Sequence, residues 1–323
     1  MRRTAKIVVL LAFAVVVSGA QAGEARSRTD WFHDARWGVF IHYLAKSDDV
    51  SVDEWNRVID GFDAEGLAQQ LESARAGYLI LTLGQNSGHY LSPNATYDAL
   101  TGIRPSKCSR RDLVDDLYRV LAPRGIRLMV YLPGGAPDRD KVAMEKLEWK
   151  TGPHRNLEFQ RKWERVIAEW SERWGRKVSG WWFDGCYWPN AMYRSMNPPN
   201  FASFAGAARK GNADSIVAFN RGVIFPIISM TEQEDYTAGE MDDPSKVQVS
   251  EFWLDGAQFH MLSYLGKAWS AGPPRFTTDQ VVEFTSRITR KGGVVSWDVP
   301  TDARGLILEP FLEQLRAIGA VVR

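Results

Sequence analysis

Cysteine is nearly absent: Cys108 and Cys186 are the only two in 323 residues. That excludes a scaffold built on disulfides and leaves room for one bridge at most. The two fall in segments read as different loops, so both are expected to be free thiols. Histidine is almost as scarce. His33, His42, His89, His154 and His260 show neither H-x-H nor H-E-x-x-H spacing, and the cysteines form no C-x-x-C. A zinc hydrolase therefore lacks its usual ligand pattern, and no metal or cofactor is expected. No G-x-G-x-x-G follows the first apolar run, no G-x-x-x-x-G-K-[ST] occurs, and no G-x-S-x-G elbow is present. The dinucleotide, P-loop and serine-nucleophile readings lose their signatures with them. Charge of one sign is missing too: 40 Lys and Arg stand against 39 Asp and Glu, which gives no electrostatic basis for nucleic-acid binding. The longest apolar run, Ile7 to Val17, has 11 residues, short of the ~20 that a membrane span needs.

That run is informative in another way. Arg2, Arg3 and Lys6 precede it, and Ala20-Gln21-Ala22 follows with small residues suited to cleavage, which is the layout of a secretory signal peptide over 1–22. The chain is expected to be exported, to the periplasm or the medium. Losing three basic and no acidic residues takes the formal charge from +1 to −2. Residues 23–323 show no repeat, low-complexity tract or Gly/Ser linker, and read as one domain.

Within it, short apolar runs alternate with amphipathic stretches. Strands are expected over Val39–Tyr43, Tyr78–Leu83, Ile126–Leu132, Val178–Asp184, Ile216–Asn220, Phe259–Leu265 and Gly293–Val299. Helices are expected over Ala64–Arg75, Asp112–Leu121, Leu157–Trp174, Phe201–Ala208, Thr278–Arg290 and Glu309–Ile318. Asp63 and Ser109 are read as N-caps, Gly77 and Gly125 as left-handed C-caps. An eighth strand is found only if Asp235–Gly239 counts. The order implies a parallel α/β fold, and without a nucleotide loop a (β/α)8-like TIM barrel is favoured over an open sheet. Barrel chemistry sits at strand C-termini, which singles out His42, Gln85-Asn86, Asp184, Asn220-Arg221, Glu240 and Asp298.

Asp184 closes the run Trp181-Trp182-Phe183-Asp184-Gly185, a carboxylate at a strand end with glycine to turn on. Trp181, Trp182, Tyr187 and Trp188 crowd around it, and flat aromatic faces suit the apolar face of a sugar ring. The bland alternative is a structural Asp that caps a helix or pairs with a buried Arg. Glycoside hydrolysis would need a second carboxylate. Glu240 is a candidate, and Glu232, Glu234 and Glu251 are neighbours that could replace it.

The opening Trp31-Phe32-His33-Asp34-Ala35-Arg36-Trp37-Gly38-Val39-Phe40-Ile41-His42-Tyr43 resembles that of glycoside hydrolase family 29, the α-L-fucosidases, which reads W-F-x-D-A-K-F-G-I-F-I-H-W. Glu54-Trp55, Phe62-Asp63-Ala64 and Arg111-Asp112-Leu113-Val114 resemble the family's E-W-Y, F-D-A and R-D-L-V. Trp182-Phe183-Asp184-Gly185 resembles its nucleophile segment, Asn220-Arg221 its N-x-R, Asp235 to Glu240 its D-Y-x-T-P-E, and Gly292 to Pro300 its G-G-N-L-L-L-N-x-G-P. The resemblance implies a retaining glycosidase barrel without the C-terminal β-sandwich of other members. It implies Asp184 as nucleophile, Glu240 as acid/base, and His42, Trp55, Gln85, Asn86, His89, Trp182, Arg221 and Trp297 as contacts to a carbohydrate substrate. One departure stands out. Where the family reads T-A-K-H-H-D-G-F, this chain reads Thr82-Leu83-Gly84-Gln85-Asn86-Ser87-Gly88-His89, so amides replace two imidazoles and a different hydroxyl pattern is expected. Alternatives are a non-hydrolytic carbohydrate-binding protein and a glycosidase for another sugar.

Overall fold

The computed structural model describes residues 28–249 and 251–322, so the expected leader, Met1–Ala22, lies outside the described residues. Seven parallel strands form one curled sheet: β1 Trp37–Ile41, β2 Tyr78–Thr82, β3 Arg127–Pro133, β4 Gly180–Asp184, β5 Ile216–Phe219, β6 His260–Tyr264 and β7 Val294–Asp298. Their order is β5-β4-β3-β2-β1-β7-β6. Helices follow between them: α1 Val52–Asp60, α2 Ala64–Ala74, α3 Ala95–Thr101, α4 Leu113–Leu121, α5 Lys141–Leu147, α6 Leu157–Trp174, α7 Phe201–Ala208, α8 Thr278–Thr289 and α9 Glu309–Val321. No helix among the described residues is long and apolar enough to cross a membrane.

The strands are buried on both faces, and their period of two sorts the side chains into two cores. Val39, Ile41, Leu79, Leu81, Val130, Leu132, Trp181, Phe183, Val295 and Trp297 join the layer beneath the helices. Phe40, Tyr78, Ile80, Met129, Tyr131, Trp182, Ile216, Ala218, Leu262 and Val294 fill the inside of the curl. The outer layer is closed by helices such as α6, which buries Phe159, Trp163, Ile167, Trp170 and Trp174 at three- and four-residue spacing.

The expected eighth strand, Asp235–Gly239, is not one. The segment and the residue after it carry isolated bridges in place of a ladder, Tyr236 to Gln258 and Glu240 to Leu262. On its other side the free N–H groups of β5 find carboxylates in place of a strand: Phe219 N donates to Glu234 (2.8 Å) and Val217 N to Asp235 (2.8 Å). Asp235 is fully buried and is also held by Arg28 at 3.0 Å and Arg209 at 2.6 Å. Burial pushes the Glu234 carboxyl up to about 7. Asp235→Asn keeps an acceptor for Val217 but presents a neutral group to two guanidiniums. The substitution is expected to cost about 1.5–3 kcal/mol, as charged hydrogen bonds do. Chemical denaturation checks this, and an unchanged midpoint would show that the ion pairs contribute nothing net.

Two cap assignments also change. The N-cap of α4 is Asp112, which accepts from Asp115 N, while Ser109 donates instead to the Arg111 carbonyl. Arg75, at φ 57°, takes the left-handed position after α2, one residue after its end. Gly77 serves a different need: a Cβ there would lie 2.6 Å from that of Ala35. Asp63 and Gly125 act as expected. Cys108 and Cys186 are buried free thiols.

Candidate active site

The C-terminal ends of the strands open into a cavity of about 420 Å³ lined by both candidate carboxylates, Asp184 and Glu240, with His42, Gln85, Tyr131, Trp182 and Trp269 among the walls. Strand parity explains the aim of Asp184. Trp181 and Phe183 go under the helices, so Trp182 and Asp184 turn inward. Gly185, at φ 72°, then takes the chain away through a conformation that a side chain would resist, and its N–H returns to Asp184 Oδ1 at 2.7 Å.

Two further donors hold that carboxylate. The Tyr131 hydroxyl donates to Asp184 Oδ2 at 2.6 Å, and Gln85 Nε2 donates to the same phenol at 2.7 Å. Burial and the neighbouring Asp184 charge keep the Tyr131 phenol well above its usual range, so it stays a donor. Its ring stacks on Trp182 at 5.4 Å, and the Trp182 indole is anchored on the Ala238 carbonyl at 3.0 Å.

The third donor is Asn220, just beyond β5. Its Nδ2 gives one hydrogen bond to Asp184 Oδ1 at 2.8 Å and another to Glu240 Oε2 at 2.5 Å. Its Oδ1 accepts from Gly222 N at 3.1 Å, which fixes which end of the amide faces the acids. Two oxygens sharing one nitrogen can be no farther apart than the two bonds laid end to end, about 5.3 Å. Glu240 reaches this point because Gly239, at φ 65°, lets its segment press against β6; a Cβ at Gly239 would lie 1.9 Å from the His260 carbonyl oxygen. Burial first and the Asp184 charge second raise the Glu240 carboxyl to about 7. Two acids a bond or two apart thus have different environments: one held by three donors, the other biased toward carrying a proton near neutrality.

Across the cavity His42 Nδ1 meets Asp298 Oδ1 at 2.7 Å. Asp298 is fully buried and also accepts from Ser270 N (2.6 Å) and Ser270 Oγ (3.0 Å). A carboxylate there requires the proton on Nδ1 and leaves Nε2 as the free ring nitrogen. Trp269, from the turn of the hairpin Gly266–Ala268/Ala271–Pro274, packs edge-on against His42 at 5.9 Å.

Of the residues expected at the site, His42, Gln85, Trp182, Asp184 and Glu240 come together. Asn86 lines an adjoining hollow instead, and Arg221 is an exposed residue on a small recess beside Asn220. Three expectations are corrected. Trp297 is fully buried under the helices, its indole donating to Thr285 at 2.9 Å; it is Asp298, one residue on, that faces inward. Trp55 and His89 are buried against each other at 5.7 Å, and the Trp55 indole donates to the Tyr90 carbonyl. Trp55 borders a neighbouring hollow, but neither residue lines the cavity with the two acids. Of the alternative acids, Glu234 is committed to backbone N–H groups, and Glu232 and Glu251 are exposed. The reading from sequence missed Tyr131, Trp269, Ser270 and the bridging role of Asn220. For Tyr131 the signal was available, since it shares inward parity with Met129. The hairpin that delivers Trp269 has no periodic signature.

Tyr131→Phe deletes a hydrogen bond to a charged group at the centre of the site. We expect kcat/KM to fall roughly 10- to 150-fold, as removal of ~1.5–3 kcal/mol implies. Steady-state kinetics with an unchanged far-ultraviolet spectrum as the control would measure it, and wild-type rates would show the phenol to be a spacer.

A family model described as alpha-L-fucosidase matches residues 58–323. No curated protein matches the sequence significantly. Among solved structures, an endo-fucoidan hydrolase of glycoside hydrolase family 107, MfFcnA4, superposes with a TM-score of 0.69 at 20% identity, over 90% of this chain and 53% of its own. An alpha-L-fucosidase of family 29 from Bacteroides thetaiotaomicron gives 0.60 at 16% identity, over 91% and 72%. The alpha-fucosidase of Thermotoga maritima gives 0.62 at 15%, over 92% and 74%. At such identities the likeness is one of fold, and the chain spans about half the length of the first of these.

Proposed function

The chain belongs to the alpha-L-fucosidase family, a family of glycoside hydrolases, and from that premise we propose that it is an exported, retaining glycosidase acting on fucose-containing glycans. In the same reading the curled sheet is a TIM-type barrel whose eighth position is taken by Asp235–Met241. The observation that carries the mechanism is the Asn220 bridge. Carboxyl groups about 5–5.5 Å apart suit a nucleophile and an acid working on opposite sides of one bond, whereas inversion needs about 6.5–9.5 Å to admit a water. Asn220 caps the separation of the two oxygens it holds at about 5.3 Å, which suits the first arrangement and falls short of the second.

Asp184 then attacks the anomeric carbon as the bond to the leaving oxygen breaks, and Glu240 gives its proton to that oxygen. The product is a glycosyl ester on Asp184 and a Glu240 carboxylate. Glu240 next takes a proton from water, the water oxygen bonds to the anomeric carbon, and the ester breaks to restore Asp184. Asn220 donates to both acids throughout and keeps them in register. The test is the anomer released first, followed by proton NMR before mutarotation: retention supports the scheme, and inversion ends it.

Simple aryl α-L-fucosides are expected to be poor substrates. Where the family pattern carries two imidazoles, only Gln85 reaches the cavity, and one of its two amide N–H groups is committed to Tyr131. Two missing hydroxyl contacts of ~1–1.5 kcal/mol each amount to roughly a 30- to 150-fold loss. Rapid turnover of aryl fucosides, unaffected by Gln85→Ala, would show that the replacement is neutral.

A further inference from the structure

The cavity does not stop at Asp184. A second hollow of about 220 Å³ shares Gln85, Tyr131 and Asp184 with it and runs out over the loops that follow β3 and β4. Trp149, Tyr187 and Trp188 form its aromatic walls. Tyr187 is 55% exposed and Trp188 47%, and Trp188 is the one tryptophan among the described residues with so much surface in water. Among the described residues neither ring stacks on another aromatic, and neither uses its polar atom in a hydrogen bond. Apolar faces left open beside a reaction centre serve a ligand better than they serve the fold.

Two polar groups in the hollow are equally uncommitted. The backbone of Asn86 is fixed, its carbonyl accepting from Arg139 N at 3.1 Å, but among the described residues neither its side-chain amide nor the carboxyl of Asp138 makes a hydrogen bond or ion pair. A free amide and a free carboxylate beside flat aromatic rings are what sugar hydroxyls and a sugar's C–H face call for. The charge balance narrows the choice. The lining includes Asp138 and Asp184 and no Lys or Arg, so a sulfated or carboxylated ring would meet repulsion with no counter-charge.

We propose that this hollow is a second sugar subsite for an uncharged monosaccharide unit next to the one attacked, which makes a neutral glycan of two or more units the preferred ligand. The inference rests on the glycosidase reading for its first subsite, and its test is therefore a binding measurement. Asp184→Asn protein is titrated, by calorimetry and tryptophan fluorescence, with L-fucose and with neutral oligosaccharides that extend fucose either at its anomeric oxygen or at its ring hydroxyls. At least one extension is expected to bind about tenfold more tightly than L-fucose, with a change in fluorescence. Trp188→Ala in the same background is expected to erase that advantage, and Tyr187→Ala to reduce it. A sulfated counterpart should lack the advantage. Equal affinity for L-fucose and every extended glycan, or an advantage that survives both substitutions, would overturn the proposal. Hydrolysis is scored separately on wild-type protein. An advantage without hydrolysis removes the glycosidase reading and leaves the subsite, and hydrolysis without an advantage does the reverse.

Discussion

Asp184→Asn is expected to lower kcat by about 10⁴-fold or more, the scale seen when a covalent nucleophile is removed from a site whose other parts persist. The fold should survive the change. Asp184 is a strand-end group held by Tyr131, Asn220 and Gly185 N, and an amide oxygen can still accept from some of them. The measurement is turnover of a fucose-containing glycan, with thermal unfolding as the control for folding. Comparable turnover in the two proteins would remove the nucleophile assignment. A smaller variant, Asp184→Gly, adds a second reading: an external anion such as azide should enter the vacated space and yield a glycosyl azide of inverted configuration.

Glu240→Gln is expected to cost about 10²- to 10⁴-fold, the range for a positioned general acid. It should cost much less with a leaving group, such as 2,4-dinitrophenolate, that departs without a proton. Its pH dependence follows from its environment. Glu240 must carry its proton when the first bond breaks, and burial beside Asp184 sets its pKa at about 7. Wild-type kcat/KM should therefore fall as pH rises through about 7, and the variant should lack that limb. The same shift has a stability consequence of definite sign. A carboxyl whose folded pKa lies above its unfolded value favours the folded state fully below that unfolded value, and the contribution is lost as pH rises through the folded one. With Glu234 also raised to about 7, the protein should be less stable at pH 8 than at pH 5 from these two groups. A pH–rate profile with its alkaline limb intact in Glu240→Gln would shift the acid role to another group.

Much of the fold was legible in the sequence because parallel strands buried on both faces read as short apolar runs between amphipathic helices. The same property hid their parity. In Val294-Val295-Ser296-Trp297-Asp298 apolar residues fall on both faces, so the sequence offered Trp297 and Asp298 side by side as candidates, and it is Asp298 that turns inward, to His42. The helices over 52–60, 95–101 and 141–147 sit inside connections and lacked a strand on each side to frame them. At the site, Asp184 was legible because a carboxylate, a strand end and a glycine turn coincide. Asn220 was not. Its importance is a relation between residues 36 positions before it and 20 after it, and nothing local to Asn220 records that.

The irregular segment that stands in for an eighth strand has a further consequence, for how this molecule could change. Around the rest of the mouth, inserting one residue into a strand would exchange its inward and outward side chains and destroy the cavity. Glu240 rides on a stretch held to β6 and its lead-in by two parallel bridges of one common register, Tyr236 to Gln258 and Glu240 to Leu262, with Thr237 N, Gln258 N, Leu262 N and Met241 N closing the backbone bonds between them. An extra residue between the two bridges would break that register and carry Glu240 away from Asn220. Random insertion libraries should accordingly reject extra residues over 236–240 as firmly as within the seven strands. That makes the proton donor as fixed a part of this centre as the nucleophile.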